Sequence, residues 1–188
     1  LDLQSSDRSG YFLALTKFGE WLKGGQTAKI VSLVGQDVSA LAQTDLAYRY
    51  ALKELNPFAV VGVDYSRFNQ NGELELYDSS TGKGNLTDSY LKDRAALLSW
   101  KNKFNAEDQP PVEINHKGEQ YWFKDETTGY TVLLGNDSNI QSMPVSALNQ
   151  IWFGKDDADT HQGGDKIDHL YGGGGDDTLS DGAGGDHL

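Results

Sequence analysis

The last thirty-five residues constrain the fold more than any other stretch, because from Gly163 onward they can be written in nines without a gap. Gly163-Gly164-Asp165-Lys166-Ile167-Asp168-His169-Leu170-Tyr171 is followed by Gly172-Gly173-Gly174-Gly175-Asp176-Asp177-Thr178-Leu179-Ser180, and then by Asp181-Gly182-Ala183-Gly184-Gly185-Asp186-His187-Leu188. Aspartates at 168, 177 and 186 and leucines at 170, 179 and 188 keep the nine-residue period. One step earlier, Gly154 and Asp159 stand where a degenerate first repeat would place them, with His161 in the leucine's slot. A unit this short cannot bury an apolar face alone, so it must stack on its neighbours.

The pattern is the nonapeptide G-G-x-G-x-D-x-U-x of parallel β-helix repeats. Glycine permits positive φ and close packing, so backbone carbonyls in a six-residue turn can point at an ion. Aspartate supplies a hard anionic oxygen, which suits Ca2+ and its six to eight oxygen ligands. The leucine begins a very short strand with its side chain inward. Two repeats make one turn, so loop 154–159 is expected to face 172–177, and loop 163–168 to face 181–186. This assigns two Ca2+ sites, with Asp159 and Asp177 as carboxylate ligands of one and Asp168 and Asp186 of the other. Backbone carbonyls of Gly154, Asp156, Gly163, Asp165, Gly173, Gly175, Gly182 and Gly184 are expected to complete them. Lys155, Lys166 and Asp181 stand where glycines belong, so the first site is expected to be the weaker. A flexible acidic linker is the alternative, and repeats that hold both aspartate and leucine in phase argue against it.

Charge agrees with a cation-dependent tail. From Gly154 to Leu188 there are nine Asp, no Glu and two Lys, which is −7 of the chain's net −12, together with ten of its 22 glycines. Such a segment is either disordered or held together by cations. The overall acidity argues against nucleic acid or an anionic membrane surface as partner. No apolar run approaches the ~18 residues of a membrane span, and no charged-then-apolar leader with a small-residue cleavage site precedes the first predicted helix, so export is not expected to use an N-terminal signal within this sequence. The absence of cysteine excludes disulfides, thiolate zinc sites and cysteine nucleophiles. A chain that lacks an initiator methionine and stops inside a repeating pattern is expected to be a fragment of a longer protein.

Upstream, the sequence predicts a helix-rich α+β domain over residues 1–150, followed by the start of a parallel β-roll over 151–188. Tyr11, Leu15, Phe18 and Leu22 lay one apolar stripe along a helix at 7–23 that ends at Gly24-Gly25. Lys29 to Val34 reads as a short buried strand, and Val38 to Leu55 as a single helix presenting Leu41, Tyr48, Leu52 and Leu55. Phe58 to Val63 is an apolar run, and Asn71-Gly72 is expected to turn a hairpin into an alternating strand at 73–77. Thr87 is placed to cap a third helix with Tyr90, Leu91, Ala95, Leu98 and Phe104 inward, closed by Pro110-Pro111. Segments 120–124 and 130–134 flank Asp125-Glu126-Thr127-Thr128-Gly129 as a second hairpin.

No catalytic constellation emerges. There is no Gly-x-Ser-x-Gly elbow, no phosphate-binding loop and no His-Glu-x-x-His. His161, His169 and His187 lack helical metal-ligand spacing and read as exposed or core-edge residues. Trp21, Trp100, Trp122 and Trp152 fit core packing better than a sugar platform, and Asp88, Asp93 and Arg94 fit a solvated helix face.

The array resembles the RTX (repeats-in-toxin) family. The stretch from Ala47 to Asn105, with Arg49-Tyr50-Ala51-Leu52, Leu55-Asn56-Pro57-Phe58 and Leu86-Thr87-Asp88-Ser89-Tyr90-Leu91-Lys92-Asp93-Arg94-Ala95, is similar to the region just before the array in large RTX proteins, some of which carry a lipase-like α/β-hydrolase domain further upstream. The resemblance implies a secreted, extracellular or cell-surface protein exported by a type I secretion apparatus with an uncleaved C-terminal signal, and folding on calcium outside the cell. It leaves open a calcium-binding module for folding and secretion, an accessory part of an upstream hydrolase domain of the same chain, or an adhesin or ligand-binding domain.

Overall fold

The computed structural model describes residues 16, 19–20, 23, 27–107, 121–134 and 145–188, with side chains beyond 102 in the long helix and beyond 132 in the second hairpin excepted. The proposed helix at 7–23 lies largely outside these residues, as do Trp21, Phe104's side chain and Pro110-Pro111. Two compact units divide the chain at Ala106 and Glu107.

In the first unit, β1 (Lys29–Ser32) pairs antiparallel with β2 (Phe58–Val61), Lys29 opposite Val61 and Ser32 opposite Phe58. The strand is not buried as expected; Ile30 is 45% exposed. The single helix predicted at 38–55 is two helices, α1 (Val38–Ala42) and α2 (Leu46–Lys53). The break follows from local chemistry: Asp37 and Asp45 are both N-caps, accepting from Ala40 N and Ala47 N at 3.1 and 2.8 Å. The inward face is consequently Ala42, Ala47, Tyr50, Ala51 and Leu52, with Leu41 and Tyr48 half-buried.

Helix α2 ends in a Schellman turn, Asn56 N donating to Ala51 O and Leu55 N to Leu52 O. The left-handed position that usually takes glycine holds Leu55 at φ +49, and its side chain is 2% exposed. Burial of a leucine, worth about 1.5–3 kcal/mol, outweighs the ~1–2 kcal/mol of left-handed strain. Two arginines donate to carbonyls at the ends of α1 and α2. Arg49 donates to Ala42 O, Gln43 O and Leu74 O, and Arg94 to Leu52 O and Lys53 O. Arg94 is 4% exposed, so it belongs to the interior and not to a solvated face. It projects from α3 (Asp88–Glu107), which starts where Thr87 Oγ1 accepts from Tyr90 N at 3.1 Å and which buries Leu91, Leu97 and Leu98.

No strand forms at 73–77. Asn71 and Glu73 bond each other locally, Leu74 is fully buried, and the turn at Asp78–Lys83 is held by Asp78 accepting from Ser80 and Thr81. The tendency of Asx side chains to satisfy nearby backbone and hydroxyl groups wins over a ladder.

In the second unit, β3 (Tyr121–Asp125) and β4 (Tyr130–Leu134) form an antiparallel hairpin turned by Gly129 at φ +70. β3 also runs parallel to β5 (Asn149–Phe153), and β5 parallel to β7 (His169–Tyr171), giving the order β4-β3-β5-β7. β6 (Thr160–Gln162) and β8 (Thr178–Ser180) make a separate two-stranded parallel sheet.

The expected fold class is therefore corrected. Among the described residues, three α-helices and several small sheets make an α+β fold that is not helix-rich. Residues 151–188 do not make a self-contained parallel β-roll, since their strands are divided between a mixed sheet and a separate pair. A three-residue strand turns one side chain inward, too little apolar surface for a core. That core is built mainly on β3 and β5, from Phe123, Ile151, Trp152 and Phe153, with Leu170 added from the repeats.

Candidate metal centre

The repeats place their loops in two backbone-to-backbone stacks. Around 154–159, Gly174 N donates to Lys155 O at 2.9 Å and Thr178 N to Asp159 O at 2.8 Å. Around 163–168, Ala183 N donates to Gly164 O at 2.9 Å and His187 N to Asp168 O at 2.8 Å. Glycine is obligatory at this separation. A Cβ on Gly154 would lie 2.1 Å from Gly172 O, one on Gly163 2.2 Å from Asp181 O, and one on Gly172 2.1 Å from Asp177 Oδ2. Gly173, Gly175, Gly182 and Gly184 add positive φ, from +90 to +151.

The aspartates fasten these stacks. Asp177 Oδ1 accepts from Asp159 N at 3.0 Å, and Asp186 Oδ1 from Asp168 N at 2.9 Å. Asp168 accepts from Gln150 N and Gly164 N at 2.8 and 2.6 Å and is fully buried. Asp159 Oδ2 accepts from Lys155 N at 2.6 Å. Each expected pair is thus joined, but through a carboxylate on a backbone N–H rather than through two converging carboxylates. Asp159, Asp177 and Asp186 are half-buried, while the side chains of Asp156 and Asp165 point to solvent and leave only their backbone for an ion.

Gly154 O also accepts from Thr127 Oγ1 at 3.2 Å, and Glu126 N donates to Phe153 O at 3.0 Å, so the Asp125–Gly129 turn lies over the first loop. Its own geometry comes from buried Asp125, which accepts from Thr127 N and Thr128 Oγ1. Sequence reasoning missed this lid, and it missed Gln150. Position 150 lies nine residues before Asp159 and Trp152 nine before His161, in phase with the array but with altered chemistry. Trp152 is 2% exposed and stacks on His161 at 4.5 Å and 4°. Gln150 Oε1 meets His161 Nε2 at 3.0 Å, and Gln150 Nε2 is buried with no partner among the described residues. Burial, with Lys124 nearby, lowers the pKa of the His161 imidazole from its ordinary value.

The donor set of the loops is oxygen alone, aspartate carboxylate and glycine-rich carbonyl, which fits a hard cation such as Ca2+. Among the described residues no three His, Cys, Asp or Glu side chains cluster to hold a metal, so backbone carbonyls would supply most ligands. Also among them, no helix is long and apolar enough to cross a membrane. No family model, curated protein or solved structure matches the chain.

Proposed function

We propose that the repeats bind Ca2+ and that the chain is a calcium-binding module of a larger secreted protein of RTX type, supporting folding and stability outside the cell. The observation that carries this reading is the eighteen-residue tie between carboxylate and backbone at Asp177 with Asp159 and at Asp186 with Asp168. The same eighteen-residue tie also joins Asp168 Oδ1 to Gln150 N at 2.8 Å, and the segment from Gly154 to Leu188 holds nine Asp and two Lys. Like charges held this close favour an open chain, and a bound divalent cation reverses that repulsion. Extracellular calcium modules bind at about 10⁻⁴–10⁻³ M, so such a segment is empty inside a cell and filled outside. That coupling of folding to location supports export through a type I apparatus.

Asp159, Asp168, Asp177 and Asp186 would hold the ions with the carbonyls of their loops. The ion supplies charge neutralisation and cross-links turns eighteen residues apart. The test is a Ca2+ titration by calorimetry and circular dichroism, with EGTA reversal and an Asp177→Asn variant. Asparagine keeps an oxygen for Asp159 N–H while removing the charge. Saturable millimolar binding of about two ions, weakened in Asp177→Asn, supports the reading. Binding unchanged in that variant, or no response to Ca2+, refutes it.

A further inference from the structure

The eighteen-residue step of the array reaches one turn further back than its glycine pattern does. Loop 163–168 lies on residues 145–150, Val145-Ser146-Ala147-Leu148-Asn149-Gln150. Asp165 N donates to Ser146 O at 3.1 Å, Ile167 N to Asn149 Oδ1 at 3.1 Å and Gln150 N to Asp168 Oδ1 at 2.8 Å. A Cβ on Gly164 would lie 2.5 Å from Ser146 Cα, so the two loops touch. Strands β5 and β7 carry the same step onward, with Ile151 opposite His169 and Phe153 opposite Tyr171.

The chemistry of this first gap differs from that of the two that follow. Asp156, Asp157 and Asp159 face a loop holding Asp176 and Asp177, and Asp165 and Asp168 face a loop holding Asp181 and Asp186. Carboxylates on both sides disfavour closure until a cation enters. Residues 145–150 contain no acid, so Asp165 and Asp168 meet no like charge on that side. In the aspartate's place stands Gln150, 1% exposed, whose Oε1 meets His161 Nε2 and whose Nε2 is left unpartnered. An amide there is uncharged, whereas an aspartate would set a second carboxylate against the buried Asp168. Apolar burial follows the same division. Leu148, Ile151, Trp152, Phe153 and Leu170 are buried, while Leu179 is half-buried and Leu188 exposed.

We infer that residues 145–153 form a cation-independent first turn, closed on 163–171 by direct hydrogen bonds and apolar burial, and that it is the template on which the cation-dependent residues from Gly172 onward assemble. In a stacked array each turn is stabilised chiefly by its neighbour, so a turn already in place removes the cost of starting one. A cation arriving between 163–168 and 181–186 then finds the first of these loops formed and has only the second to order. Gln150 is the residue that exempts the first turn from the cation.

The dependence of the later residues on a cation rests on the function proposed above, and the experiment keeps the two apart. Amide hydrogen exchange of the full chain is followed by NMR in EGTA and in millimolar Ca2+. In EGTA the amides of Gln150, Asp165 and Ile167 should be protected at least about 100-fold more than those of Gly174, Thr178, Ala183 and His187. Ca2+ should then slow the last four. Gln150→Asp should lower the protection of the first three in EGTA at least about tenfold, and Gln150→Asn, of the same size without the charge, should keep most of it. No difference between the two sets of amides in EGTA, or equal losses in the two variants, overturns the inference. If the last four ignore Ca2+ while the first three stay slow in EGTA, the calcium reading falls and the self-closing first turn stands.

Discussion

Replacing Gly173 by alanine tests whether the loops stack as described. Gly173 sits at φ +98, and a Cβ there would lie 2.2 Å from Lys155 O. The left-handed backbone alone costs about 1–2 kcal/mol with a side chain. Carbon and oxygen need about 3.3 Å, so the two loops must part by about 1 Å. That separation takes the Gly174 N to Lys155 O bond from 2.9 Å out of range and forfeits about 0.5–1.5 kcal/mol more. The expected loss is therefore about 2–3 kcal/mol. Gly182→Ala, at φ +90 with Gly164 O at 2.2 Å, should cost the same. Gly129→Ala is strained at φ +70 but meets open space, so it should cost only about 1–2 kcal/mol. Gly185→Ala meets nothing within 4 Å and has no positive φ, so it should change stability by less than about 0.5 kcal/mol. Denaturant unfolding of the full chain at fixed Ca2+ ranks the four. If Gly173→Ala and Gly182→Ala are no worse than Gly129→Ala, the loops do not lie against each other and the argument fails.

Two further outcomes concern the first unit. Arg94→Met should destabilise by about 3 kcal/mol in urea unfolding, because Leu52 O and Lys53 O lose a buried charged donor, and Arg94→Lys should recover less than half for want of the planar fork. A loss below about 0.5 kcal/mol would show that these carbonyls find other partners. Burial raises the pKa of Tyr50 and Tyr65, whose rings lie 5.3 Å apart. A raised folded-state value leaves the stabilisation intact below the ordinary tyrosine value of about 10 and removes it as the pH rises beyond. Tyrosinate absorption should show a late component that appears with unfolding and vanishes in Tyr50→Phe/Tyr65→Phe; early ionisation of every tyrosine in a still-folded chain would contradict this.

Legibility differed sharply between local and distant effects. The hairpin at 121–134 and the Thr87 cap could be read because each rests on a few adjacent residues, a glycine after a polar turn or a hydroxyl three residues before the amide it meets. The break between α1 and α2 was legible in principle, since Asp45 is a cap residue, but the continuous apolar spacing around it argued for one helix. Arg94 was misread because nothing within its own helix reveals that the helix-end carbonyls of Leu52 and Lys53 lie beside it.

By itself, the sequence determined the phase of the repeats, the need for glycine in their turns, the concentration of acid, and the absence of thiol chemistry. Periodicity and composition are properties of a chain before it folds. Only the tertiary structure decided that strands 121–125 and 149–153 supply the core on which the repeats are laid, that a threonine from the hairpin turn lies on Gly154 O, and that His169 and His187 meet. Those contacts join residues 18 to 28 positions apart through sheet register, and register depends on which apolar faces are buried together, a choice no single stretch of sequence contains.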